Sequence, residues 1–121
     1  MSKRILIADD EPNIVISLEF LMKREGHAVS VARDGPAALE AIRTAKPDLV
    51  LLDVMMPGLS GFEVCQAVRG DEALAGVKIL MLSAKGRDTD IAKGQALGAD
   101  AYMTKPFSTK ELAEKVRELL K

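Results

Sequence analysis

Most of the sequence's short apolar runs are continuous rather than alternating. They fall at residues 5–8, 28–32, 49–52, 77–82 and 101–103. Each has strand length, and most are β-branched or leucine-rich. A strand that alternates apolar with polar residues buries one face, whereas a continuously apolar strand buries both, as in a parallel sheet covered by helices.

Helical patterns lie between and after the runs. After Pro12, the residues Ile14, Leu18, Leu21 and Met22 make an inward stripe, and Gly26 is a stop. Val15, Ile16 and Phe20 fall outside that stripe. They are either partly covered by neighbouring loops or a docking surface. Asp34 with Pro36 opens a second helix with Ala38, Leu39 and Ile42 inward. Ser60 and Glu63 have capping-box spacing and open a third, with Val64, Cys65 and Val68 inward. A fourth helix spans about residues 87–97. Its face is Ile91, Ala92, Ala96 and Leu97, and Gly94 interrupts it. Ser108 and Glu111 repeat the capping-box spacing before Leu112, Val116 and Leu119. Strict alternation of strand and helix predicts an α/β fold, a flavodoxin-like (βα)5 doubly wound parallel sheet of strand order 2-1-3-4-5. The 121 residues fit one domain spanning 1–121.

Composition excludes several classes. A net charge of -1 gives no broad attraction to nucleic acid or anionic membrane. No apolar run approaches membrane-spanning length, and the N-terminus meets acids too soon for a signal peptide. One cysteine, Cys65, forms no internal disulfide, which fits a reducing, cytoplasmic setting, and it reads as a small core residue. The single histidine, His27, reads as a surface turn residue, so no zinc-type site follows from it.

In open α/β sheets ligands bind beyond the carboxyl ends of the strands. The residues there are Asp9, Asp10 and Glu11 after the first run, Asp53 after the third, Ser83 and Ala84 after the fourth, and Thr104 and Lys105 after the fifth. Converging carboxylates repel unless protonated or bridged by a cation. Hard oxygen ligands without His or Cys select Mg²⁺ or Ca²⁺, and a small acid set with room for water suits Mg²⁺. With Lys105 and the Ser83 hydroxyl opposite, the set fits phosphoryl transfer, with Asp53 as nucleophile. Taken singly, each has a plainer role: Asp9 or Asp10 as a helix N-cap, Ser83 as a turn residue, Lys105 as a surface lysine, Tyr102 as a core-edge ring.

The joint spacing of Asp9-Asp10, Asp53 with Met56-Pro57-Gly58, Ser83-Ala84 and Tyr102-Met103-Thr104-Lys105-Pro106-Phe107 resembles the receiver domain of bacterial two-component response regulators across essentially the whole chain. The resemblance implies a phosphorylation-activated switch. Asp53 accepts a phosphoryl group from a sensor histidine kinase or phosphotransfer protein. Asp10, Asp53 and the Met55 carbonyl bind Mg²⁺, and Asp9 acts through water. Ser83 and Lys105 hold the phosphoryl group, Tyr102 turns inward when Ser83 moves, and Lys105-Pro106 is cis. Asn13, Ile14, Ser17, Pro106 and Phe107 meet the kinase. The surface of helix 4, strand 5 and helix 5 meets an output partner.

The same resemblance implies a monomer or a phosphorylation-dependent dimer, while the near-neutral charge and short apolar runs point to no direct nucleic-acid binding by this chain and no membrane contact. Any catalysis is confined to phosphorylation and dephosphorylation of its own Asp53. Met55 and Lys85 stand where relatives vary and tune hydrolysis. Ala101 replaces an acid that DNA-binding relatives carry on their dimer face. Two other functions fit the fold: an FMN-binding electron carrier, disfavoured by the acidic loop at residues 9–12, and a Mg²⁺-dependent phosphohydrolase with an aspartyl-phosphate intermediate, which lacks an acid at position 55. A receiver used only for binding conflicts with the intact acids, Ser83 and Lys105.

Overall fold

The apolar runs form a parallel sheet whose central strands lie between two helical layers. The computed structural model describes residues 3–84 and 88–121, with side chains at 84–90 left aside. Its elements are β1 (Arg4–Ala8), α1 (Pro12–Arg24), β2 (Ala28–Ala32), α2 (Gly35–Ala45), β3 (Leu49–Asp53), α3 (Gly61–Arg69), β4 (Lys78–Ala84), α4 (Asp88–Ala96), β5 (Ala101–Lys105) and α5 (Thr109–Leu119), with a short 3-10 turn at Glu72–Leu74. The five strands are ordered β2-β1-β3-β4-β5, and every pairing is parallel.

Side chains alternate across this sheet even though the sequence does not. Leu6, Val50, Leu52, Ile79 and Met81 face one core with Ala38, Ile42, Val64, Cys65 and Val68. Ile5, Ile7, Leu49, Leu51, Leu80 and Leu82 face the other with Leu18, Met22, Leu112 and Val116. Both faces are apolar because both are covered. Burying each such side chain stabilises the fold by about 1.5–3 kcal/mol.

Helix starts follow local chemistry. Asp34 caps α2 by accepting from Ala37 N at 2.7 Å. Ser60 and Glu63 form the full reciprocal box at α3. At α5 only one half appears among the described bonds: Ser108 Oγ accepts from Glu111 N at 2.9 Å. Neither Asp9 nor Asp10 caps α1. Its N-cap is Glu11, whose own side chain makes no cap bond, and Pro12 opens the helix.

Two helical stripes differ from expectation. In α1 the buried residues are Val15, Leu18, Leu21 and Met22, and Ile14 is only half-buried, so the stripe's leading edge is Val15. Ile16 and Phe20 stay 64% and 67% exposed. In α4, Ala92 and Ala96 are exposed, and Gly94 is the buried residue between half-buried Ile91 and Leu97. The expected start of α4 at Arg87, like Lys85, lies outside the described residues. His27 is half-buried rather than a plain surface residue. Its Nδ1 accepts from Lys3 N at 3.2 Å, and burial lowers its pKa. Among the described residues no helix is long and apolar enough to cross a membrane.

Candidate functional site

Sheet register decides which strand ends meet. Ala8 pairs with Leu52, so Asp9 follows beside Asp53 at the adjoining strand end. Asp53 pairs with Leu82, Ser83 with Thr104, and Ala84 with Lys105. The ends of β1, β3, β4 and β5 therefore converge on one edge. Asp9 and Asp53 are buried, at 0% and 4% exposed, whereas Asp10 faces solvent. One carboxylate oxygen from each of the three lies within 4.8 Å of the others.

The backbone around Asp53 leaves little freedom. Val54 N donates to Leu82 O at 2.9 Å, and Gly61 N donates to Val54 O at 2.8 Å. A Cβ at Gly61 would stand 2.2 Å from the Asp53 carbonyl oxygen. The loop after β3 can fold back this closely only because residue 61 has no side chain.

Lys105 organises the charges. Its Nζ donates to Asp9 Oδ2 at 2.9 Å and to Glu11 Oε1 at 3.1 Å, and stands 3.3 Å from Asp53 Oδ1. Asp9 is held from its other oxygen too, since Oδ1 accepts from Glu11 N at 2.9 Å. Met55 N donates to Asp53 Oδ1 at 3.4 Å. Burial first, and then the Asp9 charge, push the Asp53 carboxyl from 3.8 up to about 6, against the opposing pull of Lys105. Burial alone would lower Lys105; its hydrogen bond to Asp9 and the charges of Asp53 and Asp9 reverse the sign and raise it.

Asp9, Asp10, Asp53, Ser83 and Lys105 thus come to one edge of the sheet. Ser83 is buried at the end of β4. Met55 is 61% exposed on the loop after β3. Tyr102 is half-buried and packs toward the core on the α4 side. A Cβ on Gly94 would stand 3.3 Å from its ring. The Lys105–Pro106 peptide is cis. Of the expected partner-binding residues, Asn13, Ser17 and Pro106 are exposed, and half-buried Ile14 and Phe107 pack against one core cluster.

One participant escaped sequence reasoning. Glu11 stands with the acids after the first run, but nothing in the spacing shows that it shares the Lys105 ammonium. The fit to a hard cation is good: the three-acid cluster offers only oxygen donors, and one of its members opens to solvent.

Comparisons with known proteins bear on the family and the fold. Residues 5–117 match the family described as "Response regulator receiver domain". The chain is 46% identical over its full length to the alkaline phosphatase synthesis transcriptional regulatory protein PhoP of Bacillus subtilis, covering 50% of that protein. It is 45% identical to the DNA-binding response regulator MtrA of Mycolicibacterium smegmatis, covering all of this chain and 52% of that one. The chain therefore spans about half the length of these curated relatives. Among solved structures, the chemotaxis response regulator CheY4 of Vibrio cholerae superposes with a TM-score of 0.92 at 30% identity, over 99% of this chain and 100% of that one. The electron-carrier and phosphohydrolase readings find no support among these relatives.

Proposed function

Because the chain belongs to the response regulator receiver domain family, we propose that Asp53 is the residue through which it is switched. An Asp53 carboxylate oxygen forms a bond to the phosphorus of a phosphohistidine as the P–N bond breaks. The imidazole, already protonated on its other nitrogen, leaves neutral. The observation that carries this reading is the pairing of a buried Asp53 with the Lys105 ammonium at 3.3 Å, inside a three-carboxylate cluster.

Asp10, Asp53 and the Met55 carbonyl are the proposed Mg²⁺ ligands, with Asp9 acting through water. When bound there, the ion supplies the positive charge that lets acids and phosphoryl oxygens share one site. The oxygen-only donor set supports this choice, and Asp9 is more deeply held than Asp10, which suits an indirect role for Asp9. Lys105 neutralises charge on the phosphoryl oxygens and the Ser83 hydroxyl donates to one of them. Both then shift, and Tyr102 follows, biasing α4, β5 and α5 between two arrangements.

The proposed phosphoryl donor is a sensor histidine kinase or phosphotransfer protein in the cytoplasm. It docks against Asn13, Ile14, Ser17, Pro106 and Phe107. Asn13, Ser17 and Pro106 are exposed, which supports their availability to such a partner.

The test is incubation with a small acyl phosphate and Mg²⁺, read by intact mass. The expected result is a gain of one phosphoryl group that is lost with Asp53→Ala and with chelator. Labelling that persists in Asp53→Ala would overturn the assignment.

A further inference from the structure

β5 is the last strand of the sheet and bonds only to β4. All five of its residues are half-buried rather than buried, so this edge of the sheet is not sealed. Over it lies a groove of about 720 Å³ between α4 and α5. Ile91, Tyr102, Met103 and Phe107 give this groove apolar surface. Such volume suits a few anchoring side chains, and a free strand edge offers backbone groups to an incoming segment.

The α5 wall carries three acids and one base. Glu111, Glu114 and Glu118 line the groove and recur at helical spacing along a single face. Lys115 is the basic residue among the lining side chains, and it stands 3.8 Å from Glu118. Among the described residues neither Glu111 nor Glu114 has an ion-pair partner. The chain as a whole is nearly neutral at -1.

This charge separates candidate occupants. A nucleic acid would bring phosphates against glutamates. A segment bearing cations gains on approach and in register.

We propose that the groove over β5 receives a protein segment carrying lysine or arginine side chains around one or two large apolar anchors. The proposal rests on α4, β5 and α5 being the output face, and it adds the chemistry of the partner.

The test uses the full chain with saturating Mg²⁺, with and without a small acyl phosphate, and with phosphorylation followed by intact mass. Two labelled peptides share the same leucine anchors. One carries lysines and the other glutamates at the flanking positions. Fluorescence anisotropy is expected to show the lysine peptide binding at least tenfold tighter. The preference is expected to invert in the double variant Glu111→Lys, Glu114→Lys, whose normal phosphorylation would show that it folds. Amide shifts are expected at residues 101–104 and 111–118.

Equal binding of the two peptides, or indifference to the double variant, would overturn the proposal. So would shifts confined to Asp9 and Asp10, or displacement of the lysine peptide by self-association or by duplex DNA. Failure of phosphorylation would count against Asp53 alone, because the peptide measurements decide the groove separately in the unmodified protein.

Discussion

At the residue scale, Asp53 is held where its charge is unfavourable. A folded-state value raised from 3.8 to about 6 means that the folded protein keeps its proton longer than the unfolded chain. The sign follows: Asp53 contributes stability below pH 4 that is lost as pH rises through about 6. In chelator at neutral pH, Asp53→Asn is therefore expected to stabilise the fold by roughly 2–3 kcal/mol. The gain should shrink toward zero below pH 4 in urea titrations run across pH. A variant no more stable than the parent at neutral pH would remove the electrostatic account. Lys105→Ala takes away the shared ammonium, with losses of charge-assisted bonds worth about 1.5–3 kcal/mol. Its rate of labelling by acyl phosphate is expected to fall roughly 10- to 100-fold, measured by timed intact mass. Glu11→Gln leaves Asp9 and Asp53 as the charged partners of Lys105 and should be far milder.

At the element scale, two glycines hold helices against the site. In Gly61→Ala the new Cβ would meet the Asp53 carbonyl oxygen at 2.2 Å, so the backbone must move. The expected loss is about 1–3 kcal/mol or more, together with slower labelling of Asp53. Unchanged stability by urea denaturation would mean that the β3–α3 loop yields more easily than its bonds suggest. Gly94 acts on the same face of the sheet, in α4. Its Cβ position lies 3.2 Å from Met81 Sδ and 3.3 Å from the Tyr102 ring. Gly94→Val should push the ring off α4, lowering stability by about 1–3 kcal/mol and weakening amide protection in α4 relative to α3.

The far end of α4 is better tied. Arg69 Nε donates to Gly98 O at 2.8 Å, its guanidinium pairs with Asp100 at 2.6 Å, and Asp100 accepts from Ile79 N at 2.7 Å. One α3 side chain thus fixes the α4–β5 turn to the start of β4. The Lys93 ammonium over the Phe62 ring at 4.7 Å adds a second link from α3.

At the scale of the whole molecule, a cation that binds only the folded state should stabilise it by mass action, by about 2.7 kcal/mol at a hundredfold excess over its dissociation constant. Thermal unfolding with and without Mg²⁺ is expected to show that gain in the parent and to lose most of it in Asp10→Asn. The architecture was legible because its cause lies in the chain. Strands covered on both sides must be apolar throughout, and runs such as Leu49 to Leu52 admit few alternatives. The meeting of Asp9, Asp53 and Lys105 followed from strand order.

Finer features were hidden because they depend on distances across the fold. The sequence pattern starts the α1 stripe at Ile14 rather than Val15, a rotation of one residue that only the seating of the helix decides. Gly94 looked like a weak point in a helix, yet it is the contact. The sharing of Lys105 by Glu11 needs a side chain to reach from one strand end to the loop after another.

The Tyr102 ring against Gly94 has a practical consequence. The chain contains no tryptophan and one tyrosine. Ultraviolet emission excited in the phenol region therefore reports on a single place, the seam between α4 and β5. The molecule carries its own optical gauge at the position where the proposed switch would register, and no dye or engineered label is needed to read it.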